Sequence, residues 1–124
     1  MSFEVGIVGT VRASHVMPGR PLPEGELHPH DYRLEVAIER GKLDADGMVV
    51  DLDVLRGALD RTIAEIEGAD LGERLAMDEV TVERFAGWLH ARIAETVGNL
   101  RGATIRVRVW ETPDAFGGYA TPVR

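Results

Sequence analysis

Cysteine is missing altogether from this sequence. Its absence removes disulfides, thiolate metal sites and a cysteine nucleophile together, and leaves imidazole, carboxylate and water to hold any bound ion. Positive charge is also short, since 14 Lys and Arg stand against 21 Asp and Glu for a formal net charge of -7. A nucleic-acid-binding surface needs clustered cations to displace phosphate counterions, so the balance favours a small ligand or a protein partner instead. Long apolar runs are lacking too: no stretch approaches the roughly 18 residues that span a bilayer. The N-terminus has neither a basic segment nor a continuous apolar one of the kind that directs export. The expectation is a cytoplasmic protein with no membrane or nucleic-acid partner. What is present, 124 residues at 44% hydrophobic and 28% charged, fits one compact domain over residues 1–124. A domain of that size buries only about two thirds of the surface its unfolded chain exposes, so added stability from subunit contacts would be unsurprising.

Hydrophobic periodicity divides the chain into strand, loop, strand, two helices and two closing strands. Phe3 to Ser14 is rich in Val and Ile and alternates loosely, as a half-buried strand does, and stops near Met17-Pro18-Gly19. Arg20 to Pro29 carries three of the six prolines and reads as a loop. Tyr32, Leu34, Val36 and Ile38 then alternate with Arg33, Glu35, Ala37 and Glu39, the clearest strand in the sequence. Asp44-Ala45-Asp46-Gly47 is turn chemistry, followed by the apolar Met48 to Val50, with Met48 expected in the core. Asp51 or Asp53 caps a helix to about Ile66, with Leu52, Leu55, Leu59, Ile63 and Ile66 at helical spacing. Thr81 caps a second, to about Val97, built on Phe85, Leu89, Ile93 and Val97 with Trp88 beside them, and Gly98 and Gly102 end it. Ile105, Val107 and Val109 alternate in a further strand, and Ala115 to Gly118 is expected to reverse the chain before a short strand from Tyr119. The sum is an α+β domain: a four-stranded antiparallel sheet with two helices on one face.

Three of the four histidines carry the chemistry. His28 and His30 form an H-x-H pair at the entrance of the clearest strand, where a two-residue period sends both imidazoles to one face. His15 ends the first strand, and antiparallel pairing of the two strands would bring it beside the pair. Three nitrogen donors with a fourth position open are the arrangement of catalytic rather than structural zinc. His90, within the second helix, is expected to face solvent.

Several segments in order then resemble one family. Ala13-Ser14-His15, Leu27-His28-Pro29-His30, Gly47-Met48-Val49-Val50-Asp51-Leu52, Val80-Thr81-Val82-Glu83 and Trp110-Glu111-Thr112 follow the order and spacing of the 6-pyruvoyltetrahydropterin synthase and 6-carboxytetrahydropterin synthase family, over nearly the whole chain. The resemblance implies the tunnelling fold (T-fold), in which sheets from several subunits join into a barrel, hence a homo-oligomer, trimer or hexamer, with active sites at subunit interfaces. It implies zinc on His15, His28 and His30, with nickel or iron acceptable to the same donors. It also implies a pterin-like substrate held by Glu111, whose carboxylate accepts hydrogen bonds from the amino and ring N–H groups. Pro29 stands where the family's L-H-G-H motif has glycine, and its fixed φ suits an extended segment.

Two departures bear on the reaction. The family's proton-transfer cysteine corresponds here to Glu24, a carboxylate base at neutral pH, and relatives with glutamate at this place cleave the pterin side chain. Glu24 serves equally well as a surface loop carboxylate. The family's Asp-His relay falls on Glu67-Gly68, so the imidazole is gone and Glu67, with Asp70 or Glu73, is the remaining acid/base candidate. The resemblance therefore implies a carbon–oxygen or carbon–carbon lyase that uses zinc on the side chain of 7,8-dihydroneopterin triphosphate or a related dihydropterin. The alternatives are a zinc enzyme of a specialised biosynthetic pathway acting on another hydroxy-carbonyl substrate, and a non-catalytic pterin- or purine-binding protein.

Overall fold

The alternating segment around Tyr32 is the middle of the sheet. In the computed structural model, which describes residues 1–97 and 100–123, it forms β2 (His28–Arg40). β2 pairs antiparallel with β1 (Phe3–His15) on one side and β3 (Thr104–Thr112) on the other, and β4 (Ala115–Pro122) follows beside β3. The strand order is β1-β2-β3-β4. Because strand side chains alternate between faces, one face collects Ile7, Val11, Tyr32, Leu34, Val36, Ile38, Ile105, Val107 and Val109, all buried. The other face carries Arg12, Arg33, Glu35, Arg106 and Arg108.

The helices cover the apolar face. α1 (Leu52–Ile66) begins at Asp51, whose carboxylate accepts from the Asp53 N–H at 2.8 Å. α3 (Val82–Thr96) begins at Thr81, whose hydroxyl accepts from Arg84 N–H at 3.2 Å. α1 lies over β1 and α3 over β3 and β4, and the two helices touch. Leu55, Leu59 and Ile66 of α1 and Phe85, Leu89 and Ile93 of α3 are essentially inaccessible and complete one core with the strands. The expected α+β sheet with two helices on one face is what the chain forms. A one-turn helix, α2 (Leu71–Leu75), joins them, capped by Asp70 through Gly72 and Glu73 N–H groups. Five residues are too few to display a helical period, so the sequence hid it.

Several local expectations need correction. β2 starts at His28, earlier than Tyr32, because β1 extends to His15 and supplies ladder partners that far out. Leu52 and Met48 are exposed, 44% and 46%, and line a surface groove with Phe3, Glu4 and Val5 of β1; Val49 of that loop is buried in the core and Val50 packs against it. The final reversal is made by Pro113-Asp114, and Ala115 to Gly118 is strand. Gly117 is there for close approach: a Cβ at that position would lie 2.6 Å from Val82 Cγ2 and 2.9 Å from the Glu83 nitrogen. Gly98, expected to end α3, lies outside the described residues. No described helix is long and apolar enough to cross a membrane.

Candidate metal centre

The register of β1 against β2 assembles the histidines. His15 pairs directly with His28 and Ala13 with His30, so the last residue of one strand meets the first residues of the other. The two-residue period points His28 and His30 to the same side. The three rings lie with centroids 4.5 Å (His15 to His28), 5.0 Å (His15 to His30) and 4.8 Å (His28 to His30) apart. One nitrogen from each comes within 4.8 Å of the others.

Backbone carbonyls orient two of the rings. His15 Nδ1 is 2.9 Å from the Val80 carbonyl oxygen and His28 Nδ1 is 2.8 Å from that of Glu26. A carbonyl only accepts, so Nδ1 carries the proton in each, and a neutral ring then presents its Nε2 lone pair to the centre. His15 is 3% exposed, and its Nε2 and that of His30 are buried without any hydrogen-bond partner. Buried ring nitrogens left unpaired are costly unless something binds them. Burial holds the His30 pKa below its ordinary value and His15 and His28 push the same way, while Glu111 and Asp31 oppose the shift. A neutral imidazole is the form that binds metal. The donor set, its orientation and its orphaned nitrogens thus fit a zinc ion.

Glu111 joins the centre from β3. It continues the inward parity of Ile105, Val107 and Val109, next to an irregularity between Trp110 and Thr112. Its Oε1 lies 2.9 Å from His30 Nε2 and 3.6 Å from His15 Nε2. Tyr32 packs beneath, its ring 5.4 Å from that of His30. Burial, helped by the Glu111 carboxylate, raises its pKa far above the ordinary range, so its hydroxyl stays protonated.

A chamber of about 520 Å³ opens on the histidines, and Glu24, Thr81, Glu83 and Glu111 share its wall. That volume lies within the range of small-molecule sites. The start of α3 forms part of the wall, so its partial positive end favours a negatively charged group there. Of the residues singled out from sequence, His15, His28, His30, Glu24 and Glu111 line this chamber together. Glu67 does not: it sits exposed in the turn after α1, where its Oε2 accepts from the Arg12 N–H at 3.3 Å. Gly68 has φ +73° and donates its N–H to the Arg12 carbonyl at 2.7 Å. A histidine there would be strained in the left-handed region, so this backbone is built for glycine. Asp70 is engaged as the α2 cap. His90 is buried, 7% exposed, contrary to the solvent-facing expectation, because its face of α3 lies on β3 and β4.

Sequence reasoning missed the Val80 and Glu26 carbonyls, which no side-chain pattern reveals. It also left Glu83 without a role, although the Val80-Thr81-Val82-Glu83 match marked the segment.

The family model described as 6-pyruvoyl tetrahydropterin synthase matches residues 6–122. No curated protein sequence matches the chain. Among solved structures, Caenorhabditis elegans 6-pyruvoyl tetrahydropterin synthase is similar at TM-score 0.80 and 19% identity, with 98% of this chain and 96% of that one covered. A Plasmodium vivax 6-pyruvoyltetrahydropterin synthase, in which a catalytic glutamate is replaced by alanine, matches at TM-score 0.79 and 12% identity over 99% of both chains. An uncharacterized protein from Wolinella succinogenes matches at TM-score 0.71 and 16% identity, over 96% of this chain and 98% of that one. At these identities the structures speak for the fold, and the family model for the family.

Proposed function

The chain belongs to the 6-pyruvoyl tetrahydropterin synthase family, and from that premise we propose that it is a zinc-dependent lyase acting on the side chain of a dihydropterin, 7,8-dihydroneopterin triphosphate or a close relative. The observation that carries this reading is the convergence of three oriented imidazoles, Glu24 and Glu111 on one chamber. Zinc held by His15, His28 and His30 would polarise side-chain hydroxyl and carbonyl oxygens. Glu111 accepts the amino and ring N–H groups of the pterin, a charge-assisted pair of hydrogen bonds that fixes which way the side chain points. Glu24 is the proton acceptor, as its place on the chamber wall and its exposure to solvent allow. A glutamate is named as catalytic in the Plasmodium vivax relative, which supports a carboxylate in that role here. The active form is a homo-oligomer, trimer or hexamer, with chambers at subunit interfaces.

One observation favours a second reading. Glu67 and Gly68 supply no acid/base group to the chamber within one copy of the chain, and a zinc enzyme of a specialised pathway working on another hydroxy-carbonyl compound needs no such relay.

The test is incubation of zinc-loaded protein with 7,8-dihydroneopterin triphosphate and mass spectrometry of the products. Elimination or cleavage of the side chain is expected, with Glu24→Gln slower by roughly 10²–10⁴-fold and His15→Ala inactive through loss of metal. A pterin recovered unchanged from stoichiometrically zinc-loaded protein would refute the pterin-lyase reading and leave the zinc enzyme of another pathway or a non-catalytic binding protein.

A further inference from the structure

The loop that joins β1 to β2, residues 16–27, adds nothing to the buried core, yet it reaches the histidine chamber in two ways. Met17, Pro23 and Glu24 form part of the chamber wall, and the Glu26 carbonyl holds Nδ1 of His28 at 2.8 Å. Prolines at 18, 21 and 23 fix φ and carry no N–H, so the loop has few donors with which to close. Those it has are turned inward: Met17 N–H donates to the Glu24 carbonyl at 2.8 Å, Arg20 to Met17 at 3.2 Å, Gly25 to Pro21 at 3.1 Å and Glu26 to Pro23 at 3.3 Å. The closure is tightest at Gly25. A Cβ there would overlap the Arg20 carbonyl oxygen and lie 3.1 Å from its carbon. Gly25 is not among the glycines with positive φ, so what the position demands is space rather than backbone freedom. The obstructing atoms are backbone and cannot rotate aside. Any larger residue must lift the backbone at 20–21 away from residues 24–26, and Glu24 and the Glu26 carbonyl shift with them.

We propose that Gly25 is a positioning residue of the site: its bare α-carbon lets the loop close on itself, and that one closure sets both the Glu24 carboxylate on the chamber wall and the carbonyl that orients His28. The Glu24 half rests on the proposed lyase reading and deepens it, while the His28 half rests on the three-histidine centre alone. Proton acceptor and metal ligand are thus held by one piece of backbone and fall out of place together. Misplacing a reacting group by about 1 Å costs roughly 10²-fold in rate. Losing the partner that orients a ligating histidine costs roughly 10–100-fold in metal affinity.

The experiment compares the parent with Gly25→Ala, Glu24→Gln, the double variant of these two, and Leu22→Ala, a control whose side chain in the same loop is 72% exposed. Each full chain is measured by chelator competition for Co²⁺, by turnover of 7,8-dihydroneopterin triphosphate with the metal saturating, and by urea unfolding of the metal-free protein. Gly25→Ala is expected to hold Co²⁺ at least about 10-fold more weakly and to lower kcat by roughly 10²-fold with KM little changed. Its urea midpoint should stay parental, because the loop lies outside the core, and Leu22→Ala should match the parent throughout. The double variant should be hardly slower than Glu24→Gln, since both changes remove the same function. Parental Co²⁺ affinity or parental kcat in Gly25→Ala would overturn the proposal. So would a lowered urea midpoint with multiplicative losses in the double variant, which would make Gly25 a folding residue only. A parent that binds Co²⁺ but leaves the pterin unchanged would sink the lyase reading, and the Co²⁺ affinities of parent and Gly25→Ala would still decide whether the loop sets His28. A parent that takes up no Co²⁺ would overturn the proposal together with the centre it serves.

Discussion

His90 shows what a helical histidine becomes when its helix turns it inward. It is 7% exposed, its ring stands 4.8 Å from that of Tyr119, and its Nε2 has no partner. Burial depresses its pKa below the ordinary 6.5, and a backbone hydrogen bond with Ile105 resists the shift only in part. The unfolded chain therefore takes up a proton at this residue near pH 6.5 while the folded chain takes it up only at lower pH. Below that pH the unfolded state binds more protons, so stability falls as the solution is acidified, down to the folded pKa. Above about pH 7.5 the ring is neutral in both states and contributes no slope. Urea unfolding at pH 7.5 and pH 5.5 should show a larger acid loss in the parent than in His90→Leu. His30, also depressed, acts in both proteins, so the difference between them isolates His90. Equal losses would mean that His90 does not titrate with folding.

At the scale of elements, two glycines of the α3–β4 contact should respond to alanine with opposite signs. Gly117 on β4 faces the first turn of α3, where an added Cβ would meet the Val82 side chain and the Val82 and Glu83 backbone at 2.6–3.0 Å. Gly117→Ala should therefore destabilise by about 1–3 kcal/mol and, because Val82 and Glu83 also line the metal chamber, disturb its wall. Gly87, inside α3, would place its Cβ 3.9 Å from Tyr119 Cδ2, ordinary contact, so Gly87→Ala should stabilise by roughly 0.5–1 kcal/mol through helix propensity. Denaturant midpoints moving in the same direction for both would contradict this packing account. These glycines also explain where the sequence was legible and where it was not. Alternation wrote β2 and β3 plainly, and four-residue spacing wrote α1 and α3, because each element has a buried face to mark it. Gly117-Gly118 reads as a turn in sequence, since glycine signals both reversal and close approach, and only the third dimension says which. The same holds at the site. An H-x-H pair on a strand and a third histidine at a strand end were visible from period alone, and the antiparallel register that joins them was a short inference. That Glu67 turns away to β1 depends on the left-handed Gly68, which sequence spacing cannot locate.

For the whole molecule, the sheet ends in two edge strands: the 13-residue β1, whose last residues are covered by the Glu67–Asp70 turn, and the 8-residue β4. Edge strands of such length invite pairing unless proline, charge or a bulge blunts them. β1 contains no proline, β4 has Pro122 only at its end, and Phe3, Val8, Phe116 and Tyr119 on these strands are 44%, 40%, 48% and 47% exposed. On the face away from the helices most of the charges are paired within the chain: Arg12 to Asp31 at 2.9 Å, Arg33 to Glu35 at 3.1 Å, and Arg106 to Glu39 at 3.6 Å, while Arg108 lies over the Phe116 ring. A face so largely paired carries little net charge to oppose the approach of another copy. Pairing β1 of one copy with β4 of the next is head-to-tail, and such contacts stay finite only by closing into a ring. The groove of about 600 Å³ on that outer face shares His30 and Glu111 with the histidine chamber. Light scattering should then give three or six times the 13.6 kDa chain mass. The Tm should rise with protein concentration, because assembly draws the equilibrium away from the unfolded chain. A particle of 13.6 kDa whose Tm ignores concentration would show that the edges stay unpaired, and that a single copy must supply every group the reaction needs.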